Sequence, residues 1–76
     1  MKELLEYIAK SLVDSPDDVS VTETDGGQTV VLELRVNEDD MGKVIGKQGR
    51  IAKSIRSVIK AASARSGKKY IVEIVQ

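Results

Sequence analysis

Apolar residues recur at helical spacing from the start of the chain. Leu4, Leu5, Ile8 and Leu12 share one side of a helix over residues 2–13, with Lys2, Glu3, Glu6 and Lys10 largely elsewhere. Ser15-Pro16 stops it, because the residue before a proline avoids helical backbone. The pattern then changes to strict alternation. Val19 and Val21 alternate with polar residues, and Asp25-Gly26-Gly27 signals a hairpin turn. The return strand QTVVLELRV sets Val30, Leu32, Leu34 and Val36 on one face and Thr29, Val31, Glu33 and Arg35 on the other. Asn37 caps a short helix whose first turn holds Glu38, Asp39 and Asp40, acids that suit the helix dipole. That helix runs through Met41, Val44 and Ile45 to Gly46. A longer one follows Gly49: Ile51, Ile55, Val58, Ile59 and Ala62 share a face, and Lys53, Arg56 and Lys60 sit roughly opposite. Ser66-Gly67 ends it, and YIVEIV, rich in β-branched residues, makes a last strand.

The order α-β-β-α-α-β predicts one α+β domain over residues 1–76. The hairpin pairs the first two strands antiparallel. A two-helix crossover then returns the chain parallel to the second strand, giving a three-stranded mixed sheet with helices packed on one face.

Composition narrows the chemistry. A chain of 76 residues has room for a small core but not for a deep enclosed site as well. It has no cysteine and no histidine, so disulfides, thiol chemistry and the usual neutral-pH acid–base group are excluded, and a metal site would need carboxylates alone. Asp39 and Asp40 are adjacent, so on a helix their side chains diverge rather than form a catalytic pair. No enzyme activity, cofactor, metal or small-molecule substrate is expected. No apolar run nears the roughly 20 residues of a membrane span. Glu3 and Glu6 interrupt the N-terminal apolar pattern, so no secretory signal is expected there. The expected location is the cytoplasm, with no membrane partner.

Charge sharpens the picture. Residues 1–40 hold eleven acids and three bases; residues 41–76 hold nine bases and one acid, so a formal net charge of zero conceals a strong polarity. From Lys43 to Lys69 every charged residue is Lys or Arg. A polyanion is expected on that half.

The basic run begins at VIGKQGRIAKSIR, residues 44–56, where Gly46 and Gly49 bracket Lys47 and Gln48. A tight helix–helix turn would alone account for the glycines. A nucleotide phosphate loop does not fit: no strand precedes Gly46, and the Walker spacing is absent. A nucleic-acid clamp does fit. Glycines let a sugar-phosphate chain approach, the following helix aims its free amides at phosphate, and Lys47 and Arg50 add charge.

VIGKQGRIAKSI resembles the core signature of KH domains: an aliphatic pair, GxxG and a following isoleucine. The extra helix and strand ahead of the βααβ core resemble the type II arrangement common in bacteria, and small stand-alone bacterial KH proteins are similar over the whole chain. The resemblance implies single-stranded RNA binding without cofactor or catalysis. It further implies an RNA chaperone or post-transcriptional regulator linked to cell elongation and division, and either a homodimer or a heterodimer with a larger KH-containing protein. Gly46, Lys47, Gln48 and Gly49 would form the clamp, with Lys43, Arg50 and Lys53 supplying charge and Val44 and Ile45 a groove wall. Lys53, Arg56 and Lys60 read equally as a phosphate track or as a wet helix face. Ile59, beside Ala52 at the edge of the apolar stripe, reads either as core or as a dimer patch. The aromatics, Tyr7 and Tyr70, lie away from the loop in sequence, so base stacking should contribute little.

Overall fold

In the computed structural model, which describes residues 1–75, the alternating residues Val30, Leu32 and Leu34 form the centre of the molecule, at most 1% exposed. Helix α1 (Lys2–Leu12) is followed by β1 (Ser20–Asp25), β2 (Thr29–Arg35), α2 (Met41–Ile45), α3 (Arg50–Ala62) and β3 (Lys69–Val75). Short 3₁₀ turns occupy Pro16–Asp18, Glu38–Asp40 and Lys47–Gly49. β2 is the middle strand, antiparallel to β1 and parallel to β3, as the element order requires. Its inner row continues across the sheet, with Val21 beside Leu34 on one side and Val72 beside Leu32 on the other.

Leu5 and Ala9 from α1 and Ile55 and Ile59 from α3 join that inner face in one core. Burying an aliphatic side chain of this size contributes about 1.5–3 kcal/mol. The opposite face stays wet enough to carry Thr22, Glu33 and Glu73 in one cross-strand row. The helices therefore pack on one face.

The rotation of α3 about its axis differs from the sequence expectation. Ile59 is fully buried and Ala52 only 4% exposed, so they form no dimer patch. Ala52, Ile55, Ile59 and Ser63, spaced by three and four residues, make the line that faces the sheet. Val58, expected on the same face, is 47% exposed, and Ala62 is exposed too. Val58 instead belongs with Ile51, one heptad earlier, on the flank that looks toward α1. Leu4, Ile8 and Leu12 of α1 meet that flank across an apolar groove of about 470 Å³. Tyr7 and Leu12 stand exposed on its rim.

This rotation can be read from two neighbouring substitutions. Urea unfolding of Ile59→Ala should show a loss of about 2–5 kcal/mol. Val58→Ala should stay within about 0.5 kcal/mol of wild type. Equal losses at the two positions would contradict the observed register.

Candidate nucleic-acid interface

The turn between α2 and α3 is built by two glycines with different duties. Gly46 ends α2 at φ 75°, ψ 177°, a backbone region essentially confined to glycine. A Cβ there would lie 2.6 Å from Ile51 Cγ1 and 2.9 Å from its Cδ1, so the turn closes directly onto that side chain. Gly49 is left-handed at φ 74°, ψ 17°, and a Cβ on it would meet nothing within 4 Å. Gly46 is thus needed for packing inward. Gly49 leaves open surface in front of α3. Between them Gln48 also takes a left-handed conformation, φ 57°, the single non-glycine with positive φ among the described residues. The Gly46 N–H donates to Gly42 O at 2.9 Å and the Gly49 N–H to Gly46 O at 3.2 Å, which locks the turn.

The predicted residues separate into three groups. Lys47, Gln48, Arg50 and Lys53 are exposed on and just after the turn. None of the three cations takes part in the salt bridges found among the described residues. Ile45 and Ile51 are half-buried beside the turn. Val44 is not part of a groove wall: it is fully buried in the core, so a strand of nucleic acid has no access to it. The aliphatic pair splits because neighbouring helical residues point about 100° apart.

Lys43 is committed elsewhere. Its ammonium lies 2.6 Å from Asp14 Oδ2 and 3.4 Å from Asp40 Oδ1. The hydrogen bonds to Asp14 and then Asp40 hold its pKa above the ordinary lysine value. Asp40 is 2% exposed. Burial pushes its carboxyl up, but the N–H groups of Asp14 and Ser15 and the Lys43 ammonium outweigh that and leave it below the usual carboxylate range. Sequence reasoning missed this buried acid because Asp40 sits in an acidic triplet that reads as a solvated first turn.

Farther along α3, Arg56 donates its Nε–H to Val72 O on β3 at 3.2 Å. With Lys60, Ser63, Lys69 and Tyr70 it lines a cleft of about 300 Å³ between helix and strand. Arg56 and Lys60 of the basic stripe therefore form one wall of a cleft, whereas Lys53 stands exposed outside it. The α1–α3 groove was also missed. Its only sequence signal is that both helices carry apolar stripes wider than one sheet face can cover.

The family model described as the KH domain of KhpA/KhpB matches residues 2–74. A Clostridium acetobutylicum protein named RNA-binding protein KhpA is 64% identical over 75 residues, covering 99% of this chain and 100% of that protein. The protein of the same name from Clostridium perfringens is 63% identical over 75 residues, with the same coverage. Among solved structures, Era of Aquifex aeolicus aligns with a TM-score of 0.65 at 21% identity, over 96% of this chain and 28% of Era's, a likeness of fold.

The two glycines should respond differently to alanine. Gly46→Ala combines a glycine-only conformation with the Ile51 clash and should cost more than about 2 kcal/mol in denaturant unfolding. Gly49→Ala carries the left-handed penalty alone, about 1 kcal/mol. The acid limb of stability should report Asp40. Its depressed pKa adds stability that is fully present above the unfolded value of about 3.9 and is lost as pH falls through the folded one. Asp40→Asn should therefore be less stable at pH 7 and flatten the decline that sets in as pH falls below about 4. An unchanged decline in a thermal-melt series would contradict this.

Proposed function

The chain belongs to the KhpA/KhpB KH-domain family, and from that premise we propose that it binds single-stranded RNA by gripping the sugar-phosphate backbone with the turn Gly46–Gly49. The observation that carries the reading is that turn: exposed, left-handed, open in front of Gly49 and placed at the start of the longest helix. KH modules generally clamp about four backbone nucleotides with a GxxG loop. Here the positive dipole end of α3 faces the approaching phosphate. Lys47, Arg50 and Lys53, outside the salt bridges found among the described residues, supply charge, and Gln48 offers hydrogen bonds without base preference. Half-buried Ile45 and Ile51 provide apolar surface for unstacked bases. Curated relatives more than 60% identical over their full length carry the name RNA-binding protein, which supports the same reading.

With two tyrosines and no other aromatics in the chain, stacking adds little, so one copy should bind weakly and with modest sequence preference. The reading includes a cytoplasmic location and a role as an RNA chaperone or post-transcriptional regulator linked to cell elongation and division. Deleting the gene and comparing cell length and transcript levels tests that wider role, and unaltered cells would remove it.

A second reading has its own support. The apolar α1–α3 groove, with Tyr7 72% and Val58 47% exposed, suits self-association or pairing with a larger KH-containing protein of the KhpB kind. On this reading the dimer surface centres on Val58 rather than Ile59.

Fluorescence anisotropy with short random-sequence RNA across a salt series tests the clamp. Wild-type affinity should fall steeply with salt, and Lys47→Asp combined with Gln48→Asp should weaken binding roughly tenfold or more. Equal binding by the two proteins would mean that the basic surface acts without the turn. Sedimentation of Val58→Asp tests the second reading. A dimer that dissociates in this variant, with RNA binding by the turn retained, supports it; a wild type that is monomeric alone and with a KhpB-type partner removes it.

A further inference from the structure

We propose that Asp40 is a positioning residue for the turn Gly46–Gly49: its buried carboxylate holds α2 at a set angle, and Lys43 acts with it rather than on nucleic acid. The proposal rests on the RNA-clamp reading for its functional consequence, but the geometry stands apart from it.

Helix α2 cannot orient itself. Five residues span about 7.5 Å, far below the length at which a helix is stable alone. Gly42 within it lowers helix propensity by about 1 kcal/mol relative to alanine. Its single fully buried side chain is Val44. Met41 and Ile45 pack part-buried against the same core, but these contacts lie within little more than one turn, which leaves the tilt of so short a helix to be set at its two ends.

The C-terminal end is set by Gly46 closing on Ile51. The N-terminal end is set by Asp40, the residue just before Met41. Its Oδ1 accepts from the Asp14 N–H at 3.3 Å and its Oδ2 from the Ser15 N–H at 3.0 Å. Lys43, one turn into α2, closes the ring by reaching both Asp40 and Asp14. Close by, Asn37 accepts from the Asp39 N–H and donates its Nδ2–H to Asp18 Oδ2, each at 2.9 Å. The connection between α1 and β1 is thus pinned to the connection between β2 and α2. A buried carboxylate stripped of such partners is strongly unfavourable, so the pin has one geometry. Because α2 is short and leads straight into Gly46, displacement at Asp40 passes to the turn.

The test uses the full chain, with Asp40→Asn and Lys43→Met, at a temperature where circular dichroism and thermal melts show both fully folded. Residual dipolar couplings report the direction of α2 and of residues 47–50 relative to the sheet. RNA anisotropy across a salt series reports affinity and slope. In Asp40→Asn the couplings of α2 should depart from the wild-type orientation, and affinity should drop roughly 2- to 30-fold with the salt slope unchanged, since no phosphate contact is lost. Lys43→Met should likewise keep the wild-type slope. Unmoved couplings, or a folded Asp40→Asn that binds as tightly as wild type, overturn the positioning role. A slope that falls by about one in Lys43→Met makes Lys43 a phosphate contact and overturns its assignment. If wild type binds no RNA, the clamp reading fails and the couplings alone decide the geometry. If Asp40→Asn does not fold, Lys43→Met, whose side chain is 43% exposed, decides by the same couplings.

Discussion

The middle strand is the constraint on which the rest depends. β2 is hydrogen-bonded along both edges and buries Val30, Leu32 and Leu34 on one face. A sheet with one apolar face must be covered, and a chain this short covers it with two helices. Because β3 runs parallel to β2, the connection between them has to cross the same face. That crossover is α2, the glycine turn and α3. The turn lies on the surface because it joins two helices whose apolar sides are already engaged, and its backbone must meet solvent or a ligand.

The same economy explains the α1–α3 groove. Leu5 and Ala9 satisfy the sheet from one helix, and Ala52, Ile55 and Ile59 from the other. The remaining apolar residues, Leu4, Ile8, Leu12, Ile51 and Val58, line the gap between the helices, and Leu4, Ile8 and Ile51 also touch the edge of the core. Two rigid cylinders on a narrow sheet leave such a gap wherever their stripes are wider than the strip they cover.

The folded chain also redistributes the charge polarity of the sequence. Two cations of the basic run are matched by acids of the first half, Lys43 with Asp14 and Asp40, and Lys68 with Asp25 at 2.9 Å. Arg56 is held to a strand carbonyl. The pairs Lys43–Asp14 and Lys68–Asp25, exposed at both ends, add little stability. Their consequence is one of place: among the described residues Lys47, Arg50 and Lys53, at the turn and along the first turn of α3, stay outside these salt bridges.

The order of elements, the hairpin, the face of β2 that is buried and the glycine turn with its basic surroundings were all legible in the chain. Each is a local property, carried by a period of two or of 3.6 residues or by a residue type that tolerates unusual backbone. The KH resemblance rested on the same short stretch and agrees with the family to which the chain belongs. What only the tertiary structure decided was orientation: that Ile59 rather than Val58 faces the sheet, that Val44 is core while Ile45 reaches the surface, and that Asp40 turns inward and Lys43 along the surface to partners 25 to 29 residues away. Helical spacing marks a stripe about 100° wide but not the angle at which it meets a sheet. That angle, and every contact that follows from it, is set by packing against residues distant in the chain.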